Sequence, residues 1–331
     1  MELSMEGPGH NPARGVLICA NPFSGSGPNR RRVERLVGEL TNKGLEPRLV
    51  WDIQERRAVI ANPDLASWCR CVVVAGGDGS IGAVVNELGE AGALPGMRGS
   101  VSEAGSVAFA TLPMGNENLF AKHYGFTGDV SCLASAIKVG RTRRVDLGRV
   151  SHDEDGQAVG RLFTLMAGVG FDAEVVQRMD RWRSAKPGGL KRVRRASYLP
   201  RIVSASWGYR YPGLSIKVEG RELAGTHLFI FNLPEYGGGF RIAPPGCGGD
   251  SGFLDWVLFD RPGLVPLLGY AGSVLRGRHL DRADVQHGQA KSLVIRSSAA
   301  APVQVDGDPA GVLPVTVGID ETARLELLIT P

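Results

Sequence analysis

Ten residues, Cys71 to Ser80, constrain the fold of this chain more than any other stretch. A valine-rich run ends abruptly in Gly-Gly-Asp-Gly-Ser at 76–80, and a helical pattern begins at Ile81. Such a run is typical of a buried parallel strand, which needs a crossover helix after it. The glycines Gly76, Gly77 and Gly79 remove the Cβ atoms that would keep an anion from the backbone and permit positive φ, while Ser80 favours a helix N-cap. The stretch therefore predicts a phosphate cradle at a strand-to-helix turn.

Asp78 is the unusual member of this turn. A carboxylate that faces phosphates repels them unless a divalent metal or a proton lies between, so Asp78 indicates a catalytic role on a bound nucleotide. The alternative interpretation is a tight turn that the aspartate caps.

Two more polar loops follow apolar strands in the first part of the chain. The strand at 15–20 leads into Asn-Pro-Phe-Ser-Gly-Ser-Gly, and the strand at 106–112 leads into Pro-Met-Gly-Asn-Glu-Asn. Strand and helix patterns alternate up to about residue 140, which predicts a parallel sheet with helices on both faces. Ligands of such sheets bind at the carboxyl ends of the strands, where the three loops are expected. The amides of Asn116 and Asn118 can bond a phosphate or ribose, although one of them is expected to cap a helix.

Strands become frequent and helices sparse after about residue 143. Apolar strand patterns lie at 143–150, 163–166, 214–218, 227–231, 255–259, 293–296, 303–305 and 324–329. This spacing is typical of an antiparallel sandwich. We therefore predict an α/β domain at 14–142, a β-rich domain at 143–314, and a segment at 315–331 that can return to the first domain.

The composition is that of a globular protein with reduced cysteines. The chain has 331 residues, 43% of them hydrophobic and 22% charged, with a net charge of +4, which suits two domains and is too mild for a protein built around nucleic acid. Residues 1–14 lack a signal-peptide core, and the apolar run at 264–275 is too short to span a bilayer. Five cysteines, an odd number, predict neither a disulfide framework nor a metal site and favour the cytoplasm.

A basic and aromatic segment lies at 178–201. It carries nine Lys and Arg residues against one Asp, with Trp182 and Tyr198 among them. This pattern favours an anionic membrane surface, with nucleic acid and a solvated helix face as the alternatives. Just before it, Gly168 to Ala173 match a G-x-G-x-x-A dinucleotide fingerprint, but no acidic residue follows at the expected distance.

Six motifs follow one another along the chain. They are Asn-Pro-x-Ser-Gly at 21–25, Gly-Gly-Asp-Gly-Ser at 76–80, Leu-Pro-x-Gly-Asn-x-Asn at 112–118, Gly-x-Gly-Phe-Asp-Ala at 168–173, Asn232 with Gly237–Gly239, and Asp-Gly-Asp at 306–308. In this order they resemble the diacylglycerol kinase catalytic family, which includes bacterial soluble lipid kinases and the sphingosine kinases, and the resemblance covers nearly the whole chain. The resemblance implies a nucleotide domain, a β-rich lipid domain, a cleft between them, and transfer of the γ-phosphoryl group of ATP to a lipid hydroxyl with Mg²⁺, within lipid metabolism and phospholipid biosynthesis.

The resemblance also implies roles for individual residues. The nucleotide would be bound by Asn21, Ser24, Gly25, Gly76, Gly77, Asp78, Gly79, Ser80, Asn116 and Asn118. Asp308 falls where the family places its catalytic base, although Asp-Gly-Asp by itself is typical of a hairpin turn. Asp250 is the candidate for a metal ligand found in related enzymes, and the absence of that metal site is the alternative.

Several positions depart from the family pattern. The third loop has Asn116 and Leu119 where Thr and Asp are usual, Asp308 replaces a commoner Glu, and the loop around Asp250 is one residue longer. A non-catalytic relative that binds lipid or nucleotide is therefore an alternative, and an NAD kinase, which shares Gly-Gly-Asp-Gly, is a less favoured one. The expected partner is a lipid at a membrane surface, contacted through 178–201 by a cytoplasmic, peripherally associated protein; nucleic acid is not expected, and a homodimer stays open.

Overall fold

The computed structural model describes residues 13–21, 28–97, 107–154, 157–185 and 209–330. The strands are β1 (Gly15–Ala20), β2 (Glu46–Val50), β3 (Cys69–Gly76), β4 (Ala108–Pro113), β5 (Thr142–Glu154), β6 (Gln157–Phe163), β7 (Met166–Gly170), β8 (Leu214–Val218), β9 (Arg221–Gly225), β10 (His227–Phe231), β11 (Leu254–Phe259), β12 (Val285–Ala290), β13 (Ser292–Ser297), β14 (Pro302–Val305), β15 (Asp308–Val312) and β16 (Val315–Leu328). The helices are α1 (Pro28–Asn42), α2 (Ile53–Ile60), α3 (Leu65–Trp68), α4 (Asp78–Glu90), α5 (Leu119–His123), α6 (Val130–Val139), α7 (Phe171–Ser184) and α8 (Leu264–Leu275).

The first of two compact units contains the described residues up to Asp146 and those from Glu321 onward. Its strands β2, β1, β3 and β4 lie side by side and parallel, and the end of β16 continues the sheet because Glu326 pairs with Ala108. All six residues of β1 are buried, so both faces of the sheet are covered. Helix α1 packs with α6, and α2 packs with α4.

The second unit runs from Leu147 to Asp320. Strands β12, β11, β10, β7, β14 and β15 form one sheet, antiparallel throughout. Strands β9, β8 and β13 pair antiparallel with one another, and β13 pairs with the start of β16. Val169 and Ile230 of the first sheet share a buried core with Ile216 and Leu293 of the second group. The α/β unit and this β-sandwich confirm the fold class expected from the sequence.

The structure corrects the expected strand at 163–166. Strand β6 ends at Phe163 and β7 begins at Met166. The strand is interrupted here because the N–H groups of Thr164 and Leu165 donate to the carboxylate of Asp306 instead of to a neighbouring strand.

The structure also explains the fingerprint-like sequence at 168–173. Strand β7 is antiparallel to both its neighbours, β10 and β14, so it is not part of a βαβ unit. A Cβ at Gly168 would lie 2.5 Å from Oδ2 of Asp172, and Gly170 has a φ of 96°. These glycines are therefore required by local packing and turn geometry, not by a dinucleotide.

No helix among the described residues is long and apolar enough to cross a membrane. Of the basic segment at 178–201, the first residues lie on α7, which ends at Ser184, and residues 186–208 lie outside the described part of the chain.

Candidate functional site

Three loops of the first unit follow β1, β3 and β4, which are adjacent in the sheet. Strand β2 lies on one side of β1 and β3 lies on the other, so the winding of the chain reverses between β1 and β3. The carboxyl ends of strands at such a reversal form the crevice in which open α/β sheets bind their ligands. Two predicted site residues meet at this point, because Nδ2 of Asn21 donates a hydrogen bond to Oγ of Ser80 at 2.8 Å.

The second and third loops touch through their backbones. The N–H of Met114 donates to the carbonyl of Gly76 at 2.8 Å. A Cβ at Gly77 would lie 3.0 Å from Cα of Gly115, and a Cβ at Gly115 would lie 2.6 Å from Cα of Gly77. Only residues without a side chain let the two loops approach this closely.

The glycines of the 76–80 turn do not adopt the positive φ angles that the sequence suggested. None of Gly76, Gly77 and Gly79 has a positive φ. A Cβ at Gly76 would meet Oγ of Ser80 at 2.5 Å, whereas a Cβ at Gly79 would have nothing within 4 Å. Packing within the protein therefore accounts for Gly76 and Gly77, and the surface beside Gly79 is open to a ligand.

Ser80 is not the N-cap that the sequence suggested. Helix α4 begins at Asp78 with Gly77 as its N-cap residue, so Ser80 lies inside the first turn. The helix starts earlier because glycine at the cap needs no side-chain bond, which leaves the Ser80 hydroxyl to accept from Asn21.

Asp78 joins the second loop to the third. Its Oδ2 accepts from the N–H of Leu119 and its Oδ1 from the N–H of Phe120, each at 3.0 Å, at the start of α5. Burial raises the pKa of the Asp78 carboxyl, and these two hydrogen bonds act in the opposite direction. The contacts give Asp78 a positioning role, and its catalytic role stays a prediction.

The other predicted nucleotide-binding residues divide into three groups. Asn118 adopts a left-handed conformation and closes its own loop, since its Oδ1 accepts from the N–H of Gly115 and its Nδ2 donates to that residue's carbonyl. Asn116 is exposed beside it. Ser24 and Gly25 lie outside the described residues.

The Asp-Gly-Asp motif of the second unit forms a hairpin between β14 and β15. Val305 pairs with Asp308, and the two turn residues Asp306 and Gly307 have φ values of 51° and 84°. Positive φ at both central positions defines a type I′ turn, which matches the twist of the strands.

The Asp306 carboxylate is saturated by four donors. Oδ2 accepts from the N–H and Oγ1 of Thr164, and Oδ1 accepts from the N–H groups of Leu165 and Met166, all at 2.8–3.0 Å. Burial raises the pKa of this carboxyl, against the effect of the hydrogen bonds. Asp306 therefore fixes the turn to the β6–β7 junction.

Asp308, the predicted catalytic base, presents a more open carboxylate. Its side chain is 40% exposed, and Oδ2 accepts from Nη2 of Arg161 at 3.0 Å. Nη1 of Arg161 also donates to the carbonyl of Pro309 at 3.0 Å, so the guanidinium grips both the carboxylate and the backbone next to it. This arginine therefore fixes the direction of the Asp308 carboxylate.

A buried polar network that the sequence did not predict lies next to this hairpin. The carboxylate of Asp172 accepts from the hydroxyl of Tyr236 and, at 2.8 Å, from Nε2 of Gln304, whose Oε1 accepts from the N–H of Gly307 at 2.9 Å. Burial raises the pKa of Asp172. Asp172 lies in a motif already singled out, and a polar Gln304 inside an apolar strand was a further signal. The sequence carried no signal for the role of Arg161, since an arginine on an edge hairpin is ordinary.

Two family models together match most of the chain. The Diacylglycerol kinase catalytic domain matches residues 15–150, and the YegS C-terminal NAD kinase beta sandwich-like domain matches residues 166–328. This chain belongs to the diacylglycerol kinase catalytic domain family. The resemblance drawn from the six motifs is thereby confirmed.

Relatives within this lipid kinase family cover nearly the whole chain. A diacylglycerol kinase of Mycobacterium tuberculosis is 26% identical over 309 residues, 91% of either chain. One from Staphylococcus carnosus is 24% identical over 299 residues, 90% of this chain and 89% of the relative.

Two solved structures share the fold. The crystal structure of a diacylglycerol kinase from Bacillus anthracis has a TM-score of 0.63 at 15% identity and covers 97% of this chain and 99% of its own. Yeast NADH kinase complexed with NADH has a TM-score of 0.53 at 11% identity and covers 97% and 85%.

A kinase of this family is expected to use a nucleoside triphosphate together with a divalent cation. Among the described residues, no group of three or more His, Cys, Asp or Glu side chains could hold a metal ion. Asp250 lies exposed in the turn before β11. The metal-binding role of Asp250 stays a prediction from the resemblance.

Proposed function

We propose that this chain transfers the γ-phosphoryl group of ATP to the hydroxyl of a lipid of the diacylglycerol or sphingoid-base type. The observation that carries the proposal is that Asn21, the 76–80 turn and the 112–118 loop meet where the strand order reverses, in a unit that matches a kinase catalytic domain. Phosphoryl transfer needs mainly positioning and charge neutralisation, which such a backbone-rich crevice supplies.

The first unit is assigned to the nucleotide. Asn21, Ser80 and the open backbone at Gly79 are the groups best placed to contact phosphates, with Asn116 beside them and Ser24 and Gly25 as further candidates from the sequence. The N-terminus of α4 adds a partial positive charge. Mg²⁺ enters as part of the MgATP substrate.

The second unit is assigned to the acceptor. Asp308 takes the proton of the lipid hydroxyl as that oxygen bonds to the γ-phosphorus, while the bond from phosphorus to the β,γ-bridging oxygen breaks and ADP leaves. Arg161 holds the carboxylate in one direction, and Asp306 holds the turn that carries it. The acceptor lipid places the protein at a membrane surface, as a peripherally bound cytoplasmic enzyme.

The test is lipid-dependent phosphorylation by the purified protein. Wild-type protein is incubated with MgATP and, separately, diacylglycerol, sphingosine or phosphatidylglycerol in mixed micelles, and with NAD. Asp308→Asn is expected to lower kcat by about 10²–10⁴-fold, because it removes a general base. Its affinity for MgATP, measured by calorimetry, should be unchanged. The matched control is Asp281→Asn, an exposed aspartate of the same unit, which should leave kcat unchanged.

Three results would contradict the proposal. Phosphorylation of NAD but of none of the lipids would identify an NAD kinase. MgATP binding without any transfer, or no MgATP binding at all, would identify a non-catalytic relative. An Asp308→Asn protein with wild-type kcat on a lipid would remove the base assignment.

A further inference from the structure

Helix α8 is apolar on its exposed side as well as on its packed side. A surface helix normally buries an apolar stripe and exposes charged residues. The side of α8 packed on the protein carries the buried residues Tyr270 and Val274. The outward side carries Val265, Leu268 and Leu275, which are 81%, 63% and 73% exposed.

No charged residue occurs in α8, and its exposed face is completed by Gly269 and Ala271. Val265, Leu268 and Leu275 are the most exposed of the large hydrophobic residues in the described part of the chain. Isolated apolar residues on a surface are ordinary, but a continuous face of this kind marks an interaction site.

Contacts of Tyr270 prevent α8 from turning this face inward. The Tyr270 hydroxyl accepts from the N–H of Arg261 at 3.0 Å, and its ring packs on Phe259 with centroids 4.7 Å apart. The guanidinium of Arg282 lies 4.9 Å from the same ring. The helix is thus fixed by Tyr270, and Val265, Leu268 and Leu275 stay on the outside.

The charged residues that directly follow α8 are positive. No Asp or Glu occurs between Asp260 and Asp281, whereas Arg276 and Arg278 follow directly after the helix and are exposed. Nη1 of Arg276 bonds the carbonyl of Gly272, which keeps this side chain along the end of the helix. An apolar face bordered by arginines complements an anionic lipid surface.

Helix α8 also adjoins the helix that begins the basic segment. Leu267 packs against Phe171 and Val175 of α7, together with Tyr209 and Tyr211. The same helix α7 carries exposed Arg181 near its end. The positive charge of the 178–201 segment therefore starts on an element in contact with α8.

We propose that α8 docks the second unit onto an anionic phospholipid bilayer, with Val265, Leu268 and Leu275 entering the acyl boundary and Arg276 and Arg278 contacting lipid phosphates. This inference rests on the proposed function, because an enzyme that phosphorylates a membrane lipid must reach the bilayer. The two occupants that compete with lipid are a second copy of the chain and the chain's own residues 186–208.

The test is co-sedimentation of the full chain with vesicles. One set of vesicles contains phosphatidylglycerol and phosphatidylcholine in equal parts, and the other contains phosphatidylcholine alone. The triple variant Val265→Ser, Leu268→Ser, Leu275→Ser is expected to bind the anionic vesicles at least about tenfold more weakly, because three side chains lose their apolar burial. The variant Arg276→Gln, Arg278→Gln should lose about fivefold per arginine on anionic vesicles and little on neutral ones.

The matched control replaces three exposed aliphatic residues elsewhere, Ile53, Val139 and Ile329, which are 38%, 61% and 44% exposed, by Ser. It should bind vesicles as the wild type does. Activity on a short-chain, water-soluble acceptor without vesicles should be equal in wild type and both triple variants. Vesicle binding is read without any turnover, so a failure of the kinase assignment is distinguishable from a failure of the docking surface.

Wild-type vesicle binding by the α8 triple variant would overturn the inference. So would a change from dimer to monomer in size-exclusion chromatography with vesicle binding intact, which would assign the face to a second copy. Unfolding of the triple variant at a clearly lower urea concentration than the control would assign it to the chain's own residues.

Discussion

Two residues show how the same amino acid serves different purposes in one turn. Gly77 must be glycine because Gly115 of the third loop packs against it, whereas Gly79 faces open space at the start of α4. The sequence predicted that glycines here approach a phosphate, but it could not separate the two cases, because the partner Gly115 is remote in the chain. Contact across the sheet decided the role of each.

Gly79→Ala tests the nucleotide site at its most open point. Since alanine favours a helix over glycine by up to about 1 kcal/mol and its Cβ meets no protein atom, the variant should be at least as stable as the wild type. Its affinity for MgATP, measured by calorimetry, should fall about tenfold, a loss of ~1.4 kcal/mol.

The control for this substitution is Gly38→Ala, an exposed glycine on α1 whose Cβ also has nothing within 4 Å. It should gain similar stability and keep its nucleotide affinity. Equal affinity in both variants would show that no phosphate approaches Gly79.

His227 is a buried imidazole in an aromatic setting. Its ring lies 5.4 Å from that of Tyr211 and 6.1 Å from that of Phe171, and neither ring nitrogen has a hydrogen-bond partner among the described residues. Burial lowers its pKa from 6.5 to about 4. Below pH 6.5, His227 is therefore protonated in the unfolded chain, whereas in the folded chain it stays neutral until about pH 4.

His227→Phe should remove this acid sensitivity. The wild-type free energy of unfolding should fall by up to about 3 kcal/mol between pH 6.5 and pH 4 on account of His227 alone, while the variant lacks that part of the decline. Urea unfolding at a series of pH values measures the difference. The exposed His287→Phe serves as control, and parallel pH curves for wild type and His227→Phe would refute the assignment.

At the scale of elements, the β14–β15 hairpin shows that a structural and a catalytic interpretation of one motif can both hold. The sequence allowed either a turn or a base for Asp-Gly-Asp. In the structure Asp306 builds the type I′ turn and is enclosed by donors, while Asp308 starts the next strand with its carboxylate partly exposed. One aspartate thus supports the other.

Asp306→Ala is predicted to destabilise the second unit by about 3 kcal/mol or more. Four buried donors lose their acceptor, at ~1–3 kcal/mol for each unpaired group. Urea unfolding at neutral pH measures the change. Asp308→Ala is the control and should cost at most about 1 kcal/mol, because its single ion pair is partly exposed. Equal stability of the two variants would contradict the support role.

The strands that the sequence did not predict share a position in the fold. Strands β6, β9, β12 and β15 each lie at a sheet edge. The sequences of the last three, Arg-Glu-Leu-Ala-Gly, Val-Gln-His-Gly-Gln-Ala and Asp-Pro-Ala-Gly-Val, carry few of the apolar residues that mark a strand. Edge strands pair on one side only and are often polar, so an apolar pattern does not predict them.

On the scale of the whole molecule, the order of motifs was more informative than any one of them. It predicted the family, while the alternation and spacing of the apolar runs predicted the parallel sheet and the β-sandwich, because the apolar runs of core strands are easy to recognise. The hydrogen bonds of Asp78 and the grip of Arg161 on Asp308 were not predictable, since they join residues that only the folded chain brings together.

The path of β16 has a consequence for how the chain is made. Glu326 and Leu327 of β16 pair with β4 in the parallel sheet, yet they follow the entire second unit in the sequence. Strands β1 to β4 therefore emerge from the ribosome long before the end of β16 is synthesised. Until then, the backbone groups on the outer edge of β4 stay unpaired on the nascent chain. The unit translated first is the one completed last.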